Sequence, residues 1–154
     1  MAVVKSPLSD ELRTVVGQAL QGSLIDLIDL SLTAKQTHWN VTGRTFKMVH
    51  EQLDELTATA RAASDQVAER AVMIGVNPDG RVQTVAHETS LPTVEPGWLP
   101  EDKVIHAVVD ALAGTIARFR ERIEAVESEP VTQDLLISIT GQLEEHHWMF
   151  SVQR

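Results

Sequence analysis

The chain has 154 residues and no cysteine, which suits a single domain with a sizeable core and excludes disulfides, thiolate metal sites and cysteine nucleophiles. Its net charge is −9, from 22 acidic against 13 basic residues, and such a surface repels nucleic acid unless a local basic patch overrides it. No apolar run approaches the ~18 residues of a membrane span, and the opening "MAVVKSPLSD" has no apolar stretch of the secretory kind, so a cytoplasmic protein without a membrane anchor is the expectation.

From Leu12 the apolar residues Val15, Val16, Ala19, Leu20, Leu24, Leu27, Ile28 and Leu32 recur at steps of three and four. That spacing predicts an amphipathic helix over about 9–39, capped near Ser9 and Asp10. Gly43 punctuates a short turn. A second helix over about 44–74 carries Phe46, Val49, Leu53, Leu56, Ala60, Ala63, Val67 and Ile74 as its stripe and ends at Gly75. From Gly75 to Pro100 the chain holds three glycines and four prolines, a long connection with a short helix around Val82 to Glu88. A third helix over about 100–127 opens with Pro100 in its first turn, and Glu101 and Asp102 complement its dipole. "ESEP" breaks it, and a fourth helix follows over about 131–152. Two short connections flanking one long crossover predict an all-α chain with the connectivity of a ferritin-like four-helix bundle.

Helix two has a second stripe opposite its apolar one: His50 with Asp54, and Asp65 with Glu69. Each pair is spaced i,i+4, so its members lie one turn apart on one face. All four fall within an arc of about 100°, centred roughly 150° from the apolar stripe. The core needs the apolar face, so the ligand-type face points away from it. Asp54 and Asp65 are eleven residues apart, about 16 Å along the axis, whereas carboxylate and imidazole ligands sit roughly 2 Å from a metal. Each pair is therefore half a site. A two-fold axis near residues 59 and 60 would bring His50 and Asp54 of one chain to Asp65 and Glu69 of its copy, twice. Between the pairs stand Ala58 and Ala62, small enough for close approach, with Arg61. His38, at the end of the preceding helix, leans over the same half-site. One such pair alone would be an ordinary solvated helix face; five ligand-type residues in compatible geometry point to a metal site.

"HWNVTGRTFKMVHEQLDEL", then "SDQVAERAVMIG", then "PVTQDLLISITGQLEEHHWMF" together resemble the Dps family, the mini-ferritins known as DNA-binding proteins from starved cells. The resemblance implies a homo-oligomeric shell, a dodecamer with an iron-oxidising centre at each two-fold interface. It implies that His38, His50 and Asp54 come from one chain and Asp65 and Glu69 from its neighbour, as catalytic and metal-binding residues. The substrates are then Fe(II) and hydrogen peroxide or O2, and ferric mineral collects inside. Imidazoles with carboxylates suit Fe(II). Trp39, beside His38 and near the site, is expected as a core residue at a helix end; an alternative makes it a one-electron donor to the iron. The family's acid-lined three-fold pore, through which iron passes, lies near the start of the last helix. Asp134 matches one of its positions, Pro130 stands where an acid is common, and Glu127 and Glu129 are candidate substitutes; solvated helix-end charges are the alternative.

Two other functions compete with this one. A di-iron site inside the bundle wants two Glu-x-x-His motifs, but the chain offers one, Glu144 with His147; these and His146 are expected at the surface or an interface. A DNA-compacting protein needs cationic tails, whereas the termini show Lys5 and Arg154 with Asp10 and Glu11 close to the former. Twelve copies at −9 each carry about −108, so DNA binding is doubtful.

Overall fold

The computed structural model describes residues 4–154. Its order is α1 (Asp10–Asn40), β1 (Val41–Thr42), α2 (Phe46–Met73), α3 (Val82–Glu88), β2 (Leu99–Pro100), α4 (Glu101–Ala125) and α5 (Pro130–Ser151). The predicted all-α bundle is present: α1 packs along α2, α4 along α5, and α3 rides on the crossover against α1.

Local chemistry sets the helix ends. Ser9 caps α1, its hydroxyl accepting from the Leu12 N–H at 3.3 Å. Pro100 is not in the first turn of α4; it is the extended N-cap, at φ −58 and ψ 146, because it belongs to β2. Pro130 opens α5 at a position that needs no N–H, and the Glu129 carboxylate caps the helix by accepting from the N–H groups of Val131 and Thr132. The two-residue strands carry no sequence signal of their own. They pair in parallel, Val41 with Leu99 and Thr42 with Pro100, which ties the α1–α2 turn to the foot of α4.

The core is one cluster drawn from all four long helices, with Leu20, Leu27, Leu53, Leu56, Leu112, Phe119, Leu136, Leu143 and Phe150 fully buried. Val15 and Leu32, expected in the stripe of α1, are 42% and 51% exposed; at 100° per residue they sit roughly 105° and 155° from the centre of the buried seam, on opposite sides of it. Helix α1 is long and apolar enough to cross a membrane by composition, with a mean hydropathy of 1.2, yet 61% of that window is buried inside the bundle. Its apolar face is taken by its own neighbours.

Most polar groups buried in this core are paired. Asp26, 2% exposed, receives Arg118 Nε at 3.0 Å and Arg122 Nη1 at 2.6 Å, pinning α1 to α4. Gly22 makes room for this, since a Cβ there would lie 2.8 Å from Arg122 Nη2. His146, expected at the surface or an interface, is buried within the chain at 7% exposure, with Nε2 at 2.9 Å from the Thr59 hydroxyl, while its Nδ1 has no protein partner. It lies at the α2–α5 seam because α5 turns that face inward along with Leu143 and Phe150. Burial pushes its pKa below 6.5, against the opposing pull of Glu145 and Glu55.

Two outcomes follow. Replacing Asp26 by alanine leaves two guanidiniums, one turn apart on α4 and only 24% and 19% exposed, without their carboxylate and should cost roughly 3 kcal/mol, read as a lower urea midpoint with an unchanged slope. His146 makes stability pH-dependent in a defined sense. Its folded pKa is depressed, so stability is complete above the unfolded value of 6.5 and falls as pH drops below it, by at most about 1.4 kcal/mol per unit. The fall levels off once the folded form also protonates. Between pH 6.5 and 5 the wild type should therefore lose more stability than His146→Gln, measured by urea unfolding at each pH; parallel curves would refute this.

Candidate metal centre

The ligand-type face of α2 is where the sequence put it. Asp54, Asp65 and Glu69 are solvent-exposed and His50 half-buried, while Val49, Leu53, Leu56, Ala60, Ala63 and Val67 are buried on the other side. Ala58, Arg61 and Ala62 are also exposed. Among the described residues no three histidine or carboxylate groups come together to hold a metal within one chain.

The two histidines of the candidate centre are organised by a reciprocal pair of bonds. His38, in the last turn of α1, and His50, in the second turn of α2, stack with ring centroids 3.6 Å apart and planes 18° from parallel. His38 Nδ1 lies 2.7 Å from the His50 carbonyl oxygen, and His50 Nδ1 lies 2.8 Å from the His38 carbonyl oxygen. A carbonyl can only accept, so both Nδ1 atoms carry the proton and donate. Each Nε2 then keeps its lone pair, which makes it the atom available to a metal. Two imidazoles twelve positions apart in sequence are thus locked in one tautomer and presented side by side.

Asp54, one turn after His50, is engaged by Lys35 of α1 in a hydrogen-bonded ion pair. The hydrogen bond and charge of the Lys35 ammonium hold the Asp54 carboxyl below its usual range, against the opposing effect of burial and with lesser help from His38 and His50. A cation therefore already rests against one of the candidate ligands. The sequence reading missed Lys35, although its i,i+3 spacing to His38 on α1 was a usable signal.

Other expectations are corrected. Trp39 is no core residue: it is 66% exposed, because the residue after an inward His38 turns away from the seam. Glu129 is not free to line a pore. It is 5% exposed, caps α5 and pairs with Arg70 Nη2 at 3.0 Å. Burial raises its pKa, but bonds from Thr132 and Arg70 more than offset this and hold the carboxyl below its usual value. Glu127 and Asp134 are exposed at the same end of α5. Glu144 pairs with Arg120 across the α4–α5 groove, so no bundle-centre site gathers around it.

Comparison with known proteins agrees with this architecture. Residues 17–153 match the family profile described as a ferritin-like domain. The DNA protection during starvation protein of Mycolicibacterium smegmatis is 35% identical over 92% of this chain and 78% of its own length. DNA protection during starvation protein 2 of Deinococcus radiodurans is 33% identical over 85% of this chain, which spans only 55% of that relative. The solved structure of Dps from Microbacterium arborescens in the high iron form superposes with a TM-score of 0.92 over 97% of both chains at 29% identity. Mycobacterium smegmatis Dps in its tetragonal form gives 0.93 over 99% of this chain and 93% of that one, at 31% identity. With the bundle, the crossover and the motif-bearing helices all shared, the chain belongs to the ferritin-like family and, within it, to the Dps group.

Proposed function

We propose that this protein is a cytoplasmic mini-ferritin that oxidises Fe(II) with hydrogen peroxide or O2 at centres shared between subunits, and stores the ferric product inside a homo-oligomeric shell, a dodecamer. The observation that carries this reading is the self-complementary exposed face of α2. An axis passing between residues 59 and 60 pairs His50 with Glu69, Asp54 with Asp65, and Ala58 with Arg61. It also pairs Phe46 with Met73, two apolar side chains left 50% and 58% exposed at opposite ends of the helix. An isologous interface requires this kind of pairing, with each patch meeting its own partner patch twice.

The donor set fits iron as substrate. Two imidazole Nε2 atoms and three carboxylates, with no thiolate, suit Fe(II), and a shared cleft leaves room for the oxidant. Two ferrous ions held together supply both electrons that peroxide takes up, which avoids one-electron release of hydroxyl radical. The residues' own work is positional. His38 and His50 arrive preset in the right tautomer, and Lys35 balances the charge of Asp54 until a metal cation takes over that role. The relatives' names speak of DNA protection; here protection is ascribed to removal of iron and peroxide. Arg154 is not a free cation for DNA, since it is paired with Asp110 at 2.6 Å and with the His106 carbonyl oxygen.

Replacing Glu69 by alanine should abolish most fast Fe(II) oxidation under peroxide while far-UV circular dichroism stays unchanged; a wild-type rate would sink the assignment. Shared sites make a sharper demand. Unfolding His50→Ala and Glu69→Ala chains together and reassembling them makes about half the two-fold pairs mixed, and each mixed pair keeps one intact site of two. The initial rate should return to about a quarter of wild type, whereas a site confined to one chain gives no recovery. In a mobility-shift assay at physiological salt, micromolar protein should leave DNA free; tight retention would favour the nucleoid-compacting alternative.

A further inference from the structure

The histidine pair depends on the geometry of a five-residue turn, 41–45, and that turn is not held by α1 and α2 alone. It is docked on the far end of the crossover, more than fifty residues away in sequence. Val41 and Thr42 pair with Leu99 and Pro100, and the Thr42 hydroxyl donates to the Leu99 carbonyl oxygen at 3.2 Å. The bond network then converges on one side chain. Glu101, the first residue of α4, uses a single carboxylate oxygen, Oε2, to accept from the Thr45 N–H at 2.8 Å and from the Thr45 hydroxyl at 2.9 Å. Thr45 is the N-cap of α2, and its own side chain makes no capping bond to that helix. Its hydroxyl is committed to Glu101 instead. Gly43 completes the fit. It has φ +145, a conformation that favours glycine, and a Cβ there would run into the Glu101 carboxylate.

We infer that Glu101 is a positioning residue for the metal half-site, which acts through Thr45 to set where α2 begins and hence where His50 stands against His38. This inference rests on the reading of His38 and His50 as metal ligands. The physical argument is one of leverage. The rings meet across the turn at 3.6 Å, and each Nδ1 bond ends on the other residue's backbone. A small slide or rotation of α2 relative to α1 therefore breaks both bonds at once. With the bonds gone, the imidazoles lose their tautomer bias and their shared orientation. Tautomer and orientation are the two properties that groups supporting a metal's ligands usually control. Glu101 touches no metal, and its charge is spent on the two Thr45 donors.

The test uses Co(II), a redox-inert stand-in for Fe(II) whose visible absorption reports its ligands, titrated into the assembled protein far below its unfolding temperature. Glu101→Ala should weaken Co(II) binding by about tenfold, with particle size and far-UV circular dichroism unchanged. Thr45→Val, which removes the hydroxyl donor but keeps the N–H, should show a smaller loss. Glu101→Gln, whose carbonyl oxygen can accept both bonds, should stay near wild type. A merely structural role predicts a lower melting temperature with wild-type Co(II) affinity in Glu101→Ala, and that result overturns the inference. So does a Gln variant as weak as the Ala variant. Should Glu101→Ala alter particle size, Thr45→Val decides by the same criterion. If the wild type binds no Co(II), the metal-centre reading itself fails, and that outcome is distinct from a wild type that binds while Glu101→Ala binds equally well.

Discussion

A helix is a cylinder, and α2 has to satisfy two masters with it. Its buried residues, from Val49 to Ala71, give one side to the bundle core, and the remaining side carries histidine, carboxylates and small residues that only His38 and Lys35 of α1 touch at one end. The packing of Leu53, Leu56, Ala60 and Val67 fixes the rotation of α2 about its axis. Once that rotation is set, the ligand-bearing face has to look outward. The position of the candidate metal centre at the edge of the fold, rather than in its middle, is a consequence of how the core is filled.

The contrast with the bundle interior is physical. Inside the bundle several buried polar groups are fully partnered: Asp26 of α1 meets two guanidiniums of α4, and the hydroxyls of Ser23 on α1, Thr115 on α4 and Thr140 on α5 return to their own helix carbonyls. Such groups are stabilised by partners already present and have no capacity left for a ligand. On the exposed face of α2 the situation is reversed. His38 and His50 use Nδ1 for backbone carbonyls and hold Nε2 in reserve, and Asp54 is balanced by a lysine that a metal could replace. Chemistry is stored where hydrogen-bonding capacity is incomplete.

The same logic separates the two ends of α5. Glu129 looks, by residue type, like a group that could draw iron toward a pore, yet it serves as a helix cap and as the partner of Arg70. Arg70 follows Glu69 directly, so the ion pair also anchors the end of α2 that bears Asp65 and Glu69. A carboxylate that positions a helix cannot at the same time line a channel, and the acidic charge left at that end belongs to Glu127 and Asp134.

Periodicity made the sequence legible where the deciding contacts are local. The 3.6-residue repeat located every long helix to within one or two residues. The i,i+4 spacing of His50 with Asp54 and of Asp65 with Glu69 placed both pairs on one face opposite the apolar stripe, because rise and rotation per residue are properties of any α-helix. The approach of His38 to His50 was also readable, since a short turn leaves few ways for two long helices to meet. What only the tertiary structure decided were the contacts between elements distant in the chain. The pairing of β1 with β2, the burial of His146 against Thr59, the withdrawal of Glu129 and the grip of Lys35 on Asp54 all depend on how one helix is rotated against another. A rotation of a few tens of degrees exchanges an exposed neighbour for a buried one, as Trp39 beside His38 demonstrates, and nothing in the spacing along a single helix records it.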